Sequence, residues 1–193
     1  HDALLVLDEI QSGMGRTGTL FAHAHDHVTP DIVTVAKALG AGFPIGAMLV
    51  GPKVAQVMQF GAHGTTFGGN PMAAAVARVA LRKIASPEIL LNVERQGNDI
   101  RKGLDKCNHE FQLFTEVRGR GLMLGAVLAP AYAGRAGDIL DIAAAHGLLM
   151  LQAGPDVLRF VPPLNITDEE VTEGLSRLHA TLAEFTAGEA QVA

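Results

Sequence analysis

The sequence predicts an α/β protein in two parts: a portion of a larger parallel-sheet domain over residues 1–108, then a small α+β domain over 109–193. Three observations predict it. The short apolar runs 4–7 and 32–36 each stop at a charged residue, Asp8 and Lys37, as strands buried on both faces of a parallel sheet do. Helical patterns fill most of 71–105. Beyond 108 the pattern changes to strands on either side of Arg118-Gly119-Arg120-Gly121, interleaved with single helices.

In chain order, the strand at 4–7 runs into Asp8-Glu9 and a Gly-rich turn at 12–18. Pro30-Asp31 opens the second run, and Gly40, Gly42 and Pro44 break the chain after it. Residues 47–50 read as a third strand, closed by Gly51-Pro52, and 54–60 as a short helix. Asn70 is a good N-cap and Pro71 suits a first helical turn, so a helix is expected over 71–85. A more polar helix follows from 87 to about 105, with Ile89, Val93, Ile100 and Leu104 roughly on one face. In the second part, strands are expected at 111–117, 122–128, 148–151 and 158–161, with a helix at 137–145. Asp168 opens a last amphipathic helix to about Phe185, with Thr167 as its cap. The chain starts at His1 and enters an apolar run within three residues, which reads as a cut inside a longer protein.

Composition narrows the function. With 48% hydrophobic and 18% charged residues there is material for a core. No run approaches the roughly 18 apolar residues of a membrane span, so no membrane partner is expected. A net charge of -5 with mixed signs argues against a nucleic-acid partner. Cys107 stands alone, which excludes an intrachain disulfide and suggests a cytoplasmic protein.

Asp8 and Lys37 end two apolar strands and so fall on one rim, where open α/β sheets bind ligands. An ordinary ion pair there is the alternative. Gly13, Gly15 and Gly18 match the Gly-x-Gly-x-x-Gly of dinucleotide binders. However, Asp8 to Ser12 intervene where a tight turn is needed, and no crossover helix fits before Pro30. His23, His25 and His27 form a polar surface segment, and no Cys or acid cluster completes a metal set, so none is expected.

Four segments together are far more specific. Leu5-Val6-Leu7-Asp8-Glu9-Ile10-Gln11-Ser12-Gly13-Met14-Gly15-Arg16-Thr17-Gly18 resembles the cofactor segment of class III aminotransferases. Pro30-Asp31-Ile32-Val33-Thr34-Val35-Ala36-Lys37-Ala38-Leu39-Gly40 resembles their cofactor-lysine segment. His63-Gly64-Thr65-Thr66-Phe67-Gly68-Gly69-Asn70-Pro71 is similar to their phosphate-contact loop, and Arg159-Phe160-Val161-Pro162-Pro163-Leu164 to their carboxyl-terminal arginine segment. The order holds over nearly the whole chain, and the acetylornithine and succinylornithine members are the most similar.

The resemblance implies the aspartate-aminotransferase-like fold (fold type I), of which this chain is the carboxy-terminal portion, and pyridoxal 5'-phosphate as cofactor. It implies that Lys37 holds the cofactor and moves protons, that Asp8 keeps the pyridine nitrogen protonated, and that Gln11 bonds the ring 3′-oxygen. By the same resemblance Thr66 contacts the phosphate of a neighbouring subunit's cofactor, so a homodimer with shared sites is expected. Thr65 would touch the acyl end of the substrate, and Arg159 would serve the substrate site as a carboxylate fork. The implied reaction is transamination of N2-acetylornithine, N2-succinylornithine or both with 2-oxoglutarate. Ornithine or 4-aminobutyrate aminotransferase remains an alternative, as does an inactive fragment. Glu9 receives no role.

Overall fold

The computed structural model describes residues 2–190. The chain forms two compact units, His1–Leu91 and Asn92–Ala193.

The first unit is built on a three-stranded sheet of β1 (Val6–Asp8), β2 (Ile32–Val35) and β3 (Ala47–Val50), in the order β1-β2-β3. β1 and β2 run parallel with Asp8 opposite Thr34, whereas β3 is antiparallel to β2. The expectation that the first strand is buried on both faces is corrected. Leu4, Leu5 and Val6 are 48%, 42% and 54% exposed, and Met48 and Leu49 of β3 are exposed too. The reason is cover: among the described residues too little packs over the faces of β1 and β3 to bury them. The small core gathers on Val33 and Val35 of the central strand, packed by Met14, Leu20, Phe21 and Leu39. The strand also starts later than the apolar run does. Asp31 takes the Leu5 N–H on its carboxylate at 2.8 Å, and Leu5 O accepts the N–H of Asp31 and Ile32.

The helix expected at 54–60 shrinks to one turn, α1 (Pro52–Ala55). Val57 and Phe60 are exposed in this chain, so no buried face sustains further turns. α2 (Pro71–Ile84) starts as its sequence says: the N–H groups of Met72 and Ala73 donate to Asn70 Oδ1 at 3.0 and 3.1 Å.

α3 (Pro87–Phe111) is continuous and outlasts its expected end. It stops where Gln112 takes the left-handed conformation, φ 54°, and donates its N–H to Asn108 O. The Asn108 amide then brackets Phe114, accepting its N–H at 2.7 Å and donating to its carbonyl at 2.9 Å. That hinge starts the next strand at 114 instead of 111. The change of pattern read near 108 marks the end of α3, while the contacts divide the chain earlier in that helix. Gly97, Ile100 and Leu104 already pack within the second unit.

The second unit carries an antiparallel sheet of β4 (Phe114–Arg120), β5 (Met123–Leu128), β6 (Leu151–Gln152) and β7 (Val157–Phe160), in the order β4-β5-β7-β6. Residues 148–150, read as strand, lie outside β6. β5 alternates as a half-buried strand should, with Leu124, Ala126 and Leu128 inward. α4 (Ala136–Ala145) and α5 (Asp168–Ala190) complete the core with Ile139, Leu178 and Leu182. Arg101 of α3 donates to the carbonyls of Val117 and Gly119, tying the helix to β4. Cys107 is buried, and that burial pushes its thiol pKa up, with Glu110 adding and Lys106 opposing.

The cap of α5 is a reciprocal pair. Glu170 N–H donates to Thr167 Oγ1 at 3.2 Å, and Thr167 N–H donates to Glu170 Oε2 at 2.9 Å. Next to it, hydrogen bonds from Arg95 and Gln96 hold the Asp168 carboxyl below its ordinary pKa. A carboxylate with a lowered folded pKa adds stability above its unfolded pKa, and that stability is lost as pH falls through the folded value. The melting temperature of the native chain should therefore exceed that of Asp168→Asn near neutral pH. Melting curves taken downward from there should show the gap closing below about pH 4. A gap that stays constant to low pH would show that the carboxylate's charge is not what matters.

Candidate active site

The parallel β1–β2 pair creates the rim. Asp8 is the last residue of β1, in register with Thr34, and Lys37 follows β2 by two residues. Both lie at the carboxyl ends of neighbouring parallel strands, and both side chains are exposed. The Asp8 carboxylate is held in place. Its Oδ1 accepts the Ile10 N–H at 3.0 Å and the Thr34 hydroxyl at 3.2 Å. Thr34 was not singled out from sequence; the signal was a lone hydroxyl in an apolar strand directly opposite the acid.

Lys37 has φ 45°, in the left-handed region, and opens a 3-10 turn, Lys37–Gly40. A non-glycine residue held there costs on the order of 1–3 kcal/mol, a strain that collects at functional sites. Among the described residues its amine has no hydrogen-bond or ion-pair partner, so Asp8 and Lys37 form no ordinary ion pair. Gln11 is exposed on the turn that follows Glu9. Thr65 and Thr66 lie in the exposed loop 61–70, ahead of the Asn70 cap. Arg159 stands in the second unit, on β7 opposite Gly125 and Leu151. It lines an apolar cavity of about 370 Å³ with Phe160, Pro162 and Leu175.

The three glycines that imitate a dinucleotide fingerprint do something else. Gly15 and Gly18 take positive φ, and the chain goes into a 3-10 turn, Ala22–Asp26, instead of a crossover helix. The histidine run separates into unlike environments. His23 bonds Glu9, His25 contacts Thr19 Oγ1 and Thr17 O, and His27 is exposed.

An exposed primary amine on strained backbone, beside an oriented carboxylate with an oxygen to spare, suits an aldehyde cofactor with a basic ring nitrogen. The donor set fits pyridoxal phosphate. Comparison with known proteins agrees. The aminotransferase class-III family matches residues 1–182. The chain belongs to the class III aminotransferases. This family uses pyridoxal phosphate. Acetylornithine aminotransferase of Xanthomonas axonopodis pv. citri (strain 306) is 74% identical over 187 residues, covering 97% of this chain and 46% of that protein. N-acetylornithine aminotransferase from Stenotrophomonas maltophilia K279a is 69% identical with a TM-score of 0.90, over 97% of this chain and 49% of that one. Ornithine aminotransferase from Toxoplasma gondii, in a structure with partial occupancy of PLP at the active site, is 37% identical with a TM-score of 0.88, over 95% and 43%. The chain therefore spans about half the length of the curated relatives it matches. Among its described residues no helix is long and apolar enough to cross a membrane.

Proposed function

We propose that this chain is part of an aminotransferase that moves the δ-amino group of N2-acetylornithine to 2-oxoglutarate, with the N2-succinyl compound as a second donor. The observation that carries the reading is the rim: Lys37 in left-handed backbone beside Asp8, on adjacent parallel strand ends. Identities of about 70% to proteins named for acetylornithine favour that donor over free ornithine or 4-aminobutyrate.

When bound, pyridoxal phosphate supplies an electron sink for the substrate carbon that loses its proton. Lys37 would hold it through its side-chain amine and, with that amine free, would carry the proton at the substrate carbon. Asp8, steadied by Ile10 and Thr34, would stabilise the protonated ring nitrogen, and Gln11 would take the ring oxygen. Thr66 would bond the phosphate of a second subunit's site, Thr65 would meet the acyl group, and Arg159 would offer its fork to a carboxylate. In this reading residues 1–108 belong to the cofactor-binding domain and 109–193 to the small one.

The test is a steady-state assay of the complete protein with N2-acetylornithine, N2-succinylornithine, ornithine and 4-aminobutyrate, each with 2-oxoglutarate. The acylated donors should have the highest kcat/KM. No transfer from either acylated donor would overturn the substrate assignment. A second reading concerns this chain by itself. The exposed Leu4, Val6, Met48 and Leu49 favour association over catalysis when it is expressed alone.

A further inference from the structure

Next to Asp8 lies a second carboxylate that the proposed chemistry leaves unused. Glu9 follows the last residue of β1, so its side chain leaves the opposite side of the strand. It is only 3% exposed, although an acid is rarely buried without compensation. The compensation is complete. Oε2 accepts the Ala22 N–H at 2.6 Å, and Oε1 accepts the His23 N–H at 2.9 Å. His23 Nδ1 lies 2.6 Å from Oε1 and donates to it when Glu9 is ionised. The 3-10 turn Ala22–Asp26 has no capping side chain of its own at Phe21. Glu9, thirteen residues earlier, caps it instead.

The main chain of Glu9 is pinned as firmly. Its N–H donates to Thr34 O at 2.9 Å, which carries the β1–β2 ladder one residue past Asp8. Its carbonyl accepts the Gly13 N–H at 3.0 Å, closing the turn that holds Ile10 and Gln11. Gly13 lies so close that a Cβ there would be 2.8 Å from Glu9 O and 3.0 Å from Glu9 Oε2. The imidazole of His23 stacks on Phe21, with ring centroids 5.4 Å apart. One residue thus fastens the strand end, the turn and the following segment together, and Asp8 and Gln11 flank it on the chain.

We infer that Glu9, clasped by His23, is a positioning residue that sets the direction of the Asp8 carboxylate and the Gln11 amide toward the cofactor ring. The inference rests on the aminotransferase reading above. Gln in place of Glu9 keeps the length, but its NH2 must face one of the donors that the carboxylate now accepts. Asn in place of His23 keeps an N–H donor close to the position of Nδ1, whereas Ala removes it.

The experiment uses the complete enzyme and its E9Q, H23A and H23N variants, reconstituted with pyridoxal phosphate labelled with 15N in the ring. Cofactor affinity, the ring-nitrogen chemical shift and the melting temperature of the cofactor-free protein are measured on each. E9Q and H23A should bind the cofactor about 10- to 100-fold more weakly, the range lost when a group that orients a binding side chain is removed. Their ring-nitrogen shift should move toward the unprotonated form, and H23N should recover most of both. Wild-type affinity and shift in E9Q and H23A, with only the melting temperature lowered, would overturn the inference while leaving the family chemistry intact. A native enzyme that takes up no cofactor would overturn the aminotransferase reading and this inference with it. If E9Q does not fold, H23A against H23N decides.

Discussion

Replacing Lys37 with alanine is expected to abolish covalent capture of pyridoxal phosphate and to lower transamination by the complete enzyme by at least about 10³-fold, since the amine proposed as both nucleophile and proton carrier is lost. Borohydride reduction followed by peptide mass mapping should find the cofactor on Lys37 in the native enzyme and on no residue of the variant. The backbone makes a second, independent check possible. Lys37 has φ 45°, and alanine inherits that strain, so Lys37→Ala should melt close to the native temperature. Lys37→Gly loses the amine equally but relieves the strain, and should be more stable than Lys37→Ala by roughly 1 kcal/mol. Equal melting temperatures for the two would show that the left-handed residue is not strained. Capture at another lysine would overturn the assignment of the site.

Gly97→Ala is expected to destabilise the chain by about 2 kcal/mol or more, even though alanine is the better helix former by roughly 1 kcal/mol. α3 crosses the β4–β5 turn here at backbone contact. A Cβ on Gly97 would be 2.3 Å from the carbonyl oxygen of Gly121 and 2.6 Å from its carbon. The turn cannot simply give way. Gly121 has φ 53°, and Arg101 is bonded to the carbonyls of Val117 and Gly119 just before it. Gly174 in α5 is the control, since nothing lies within 4 Å of a Cβ built there. Gly174→Ala should stabilise by about 0.4–1 kcal/mol. Thermal or denaturant melts of the two variants should therefore move in opposite directions. For a chain of this size the Gly97 shift is on the order of 4–8 °C downward. An unchanged or raised melting temperature for Gly97→Ala would mean that the crossing opens readily.

The placement of Asp8 and Lys37 was legible because it rests on local signals. Two apolar runs, each ending in a charge, placed Asp8 and Lys37 on one rim, and the parallel register of β1 with β2 puts them there. Asn70-Pro71 and Thr167 are caps, and caps depend on neighbours a few residues away. Strand burial was not legible. The run at 4–7 is as apolar as a buried strand, but whether it is covered depends on what packs over it, and in this chain little does. The short helix at 54–60 failed for the same reason.

The sequence by itself determined the family, the order of the elements and the residues that could carry chemistry, because these depend on residue types and short spacings. Only the tertiary structure showed that Glu9, beside the rim acid, is buried. Only it paired Glu9 with His23 across thirteen intervening residues, placed the Thr34 hydroxyl on Asp8, and put Lys37 in left-handed backbone. Those outcomes depend on how distant segments close on one another, and the geometry of a hydrogen bond across a fold is not written in the local pattern of either partner.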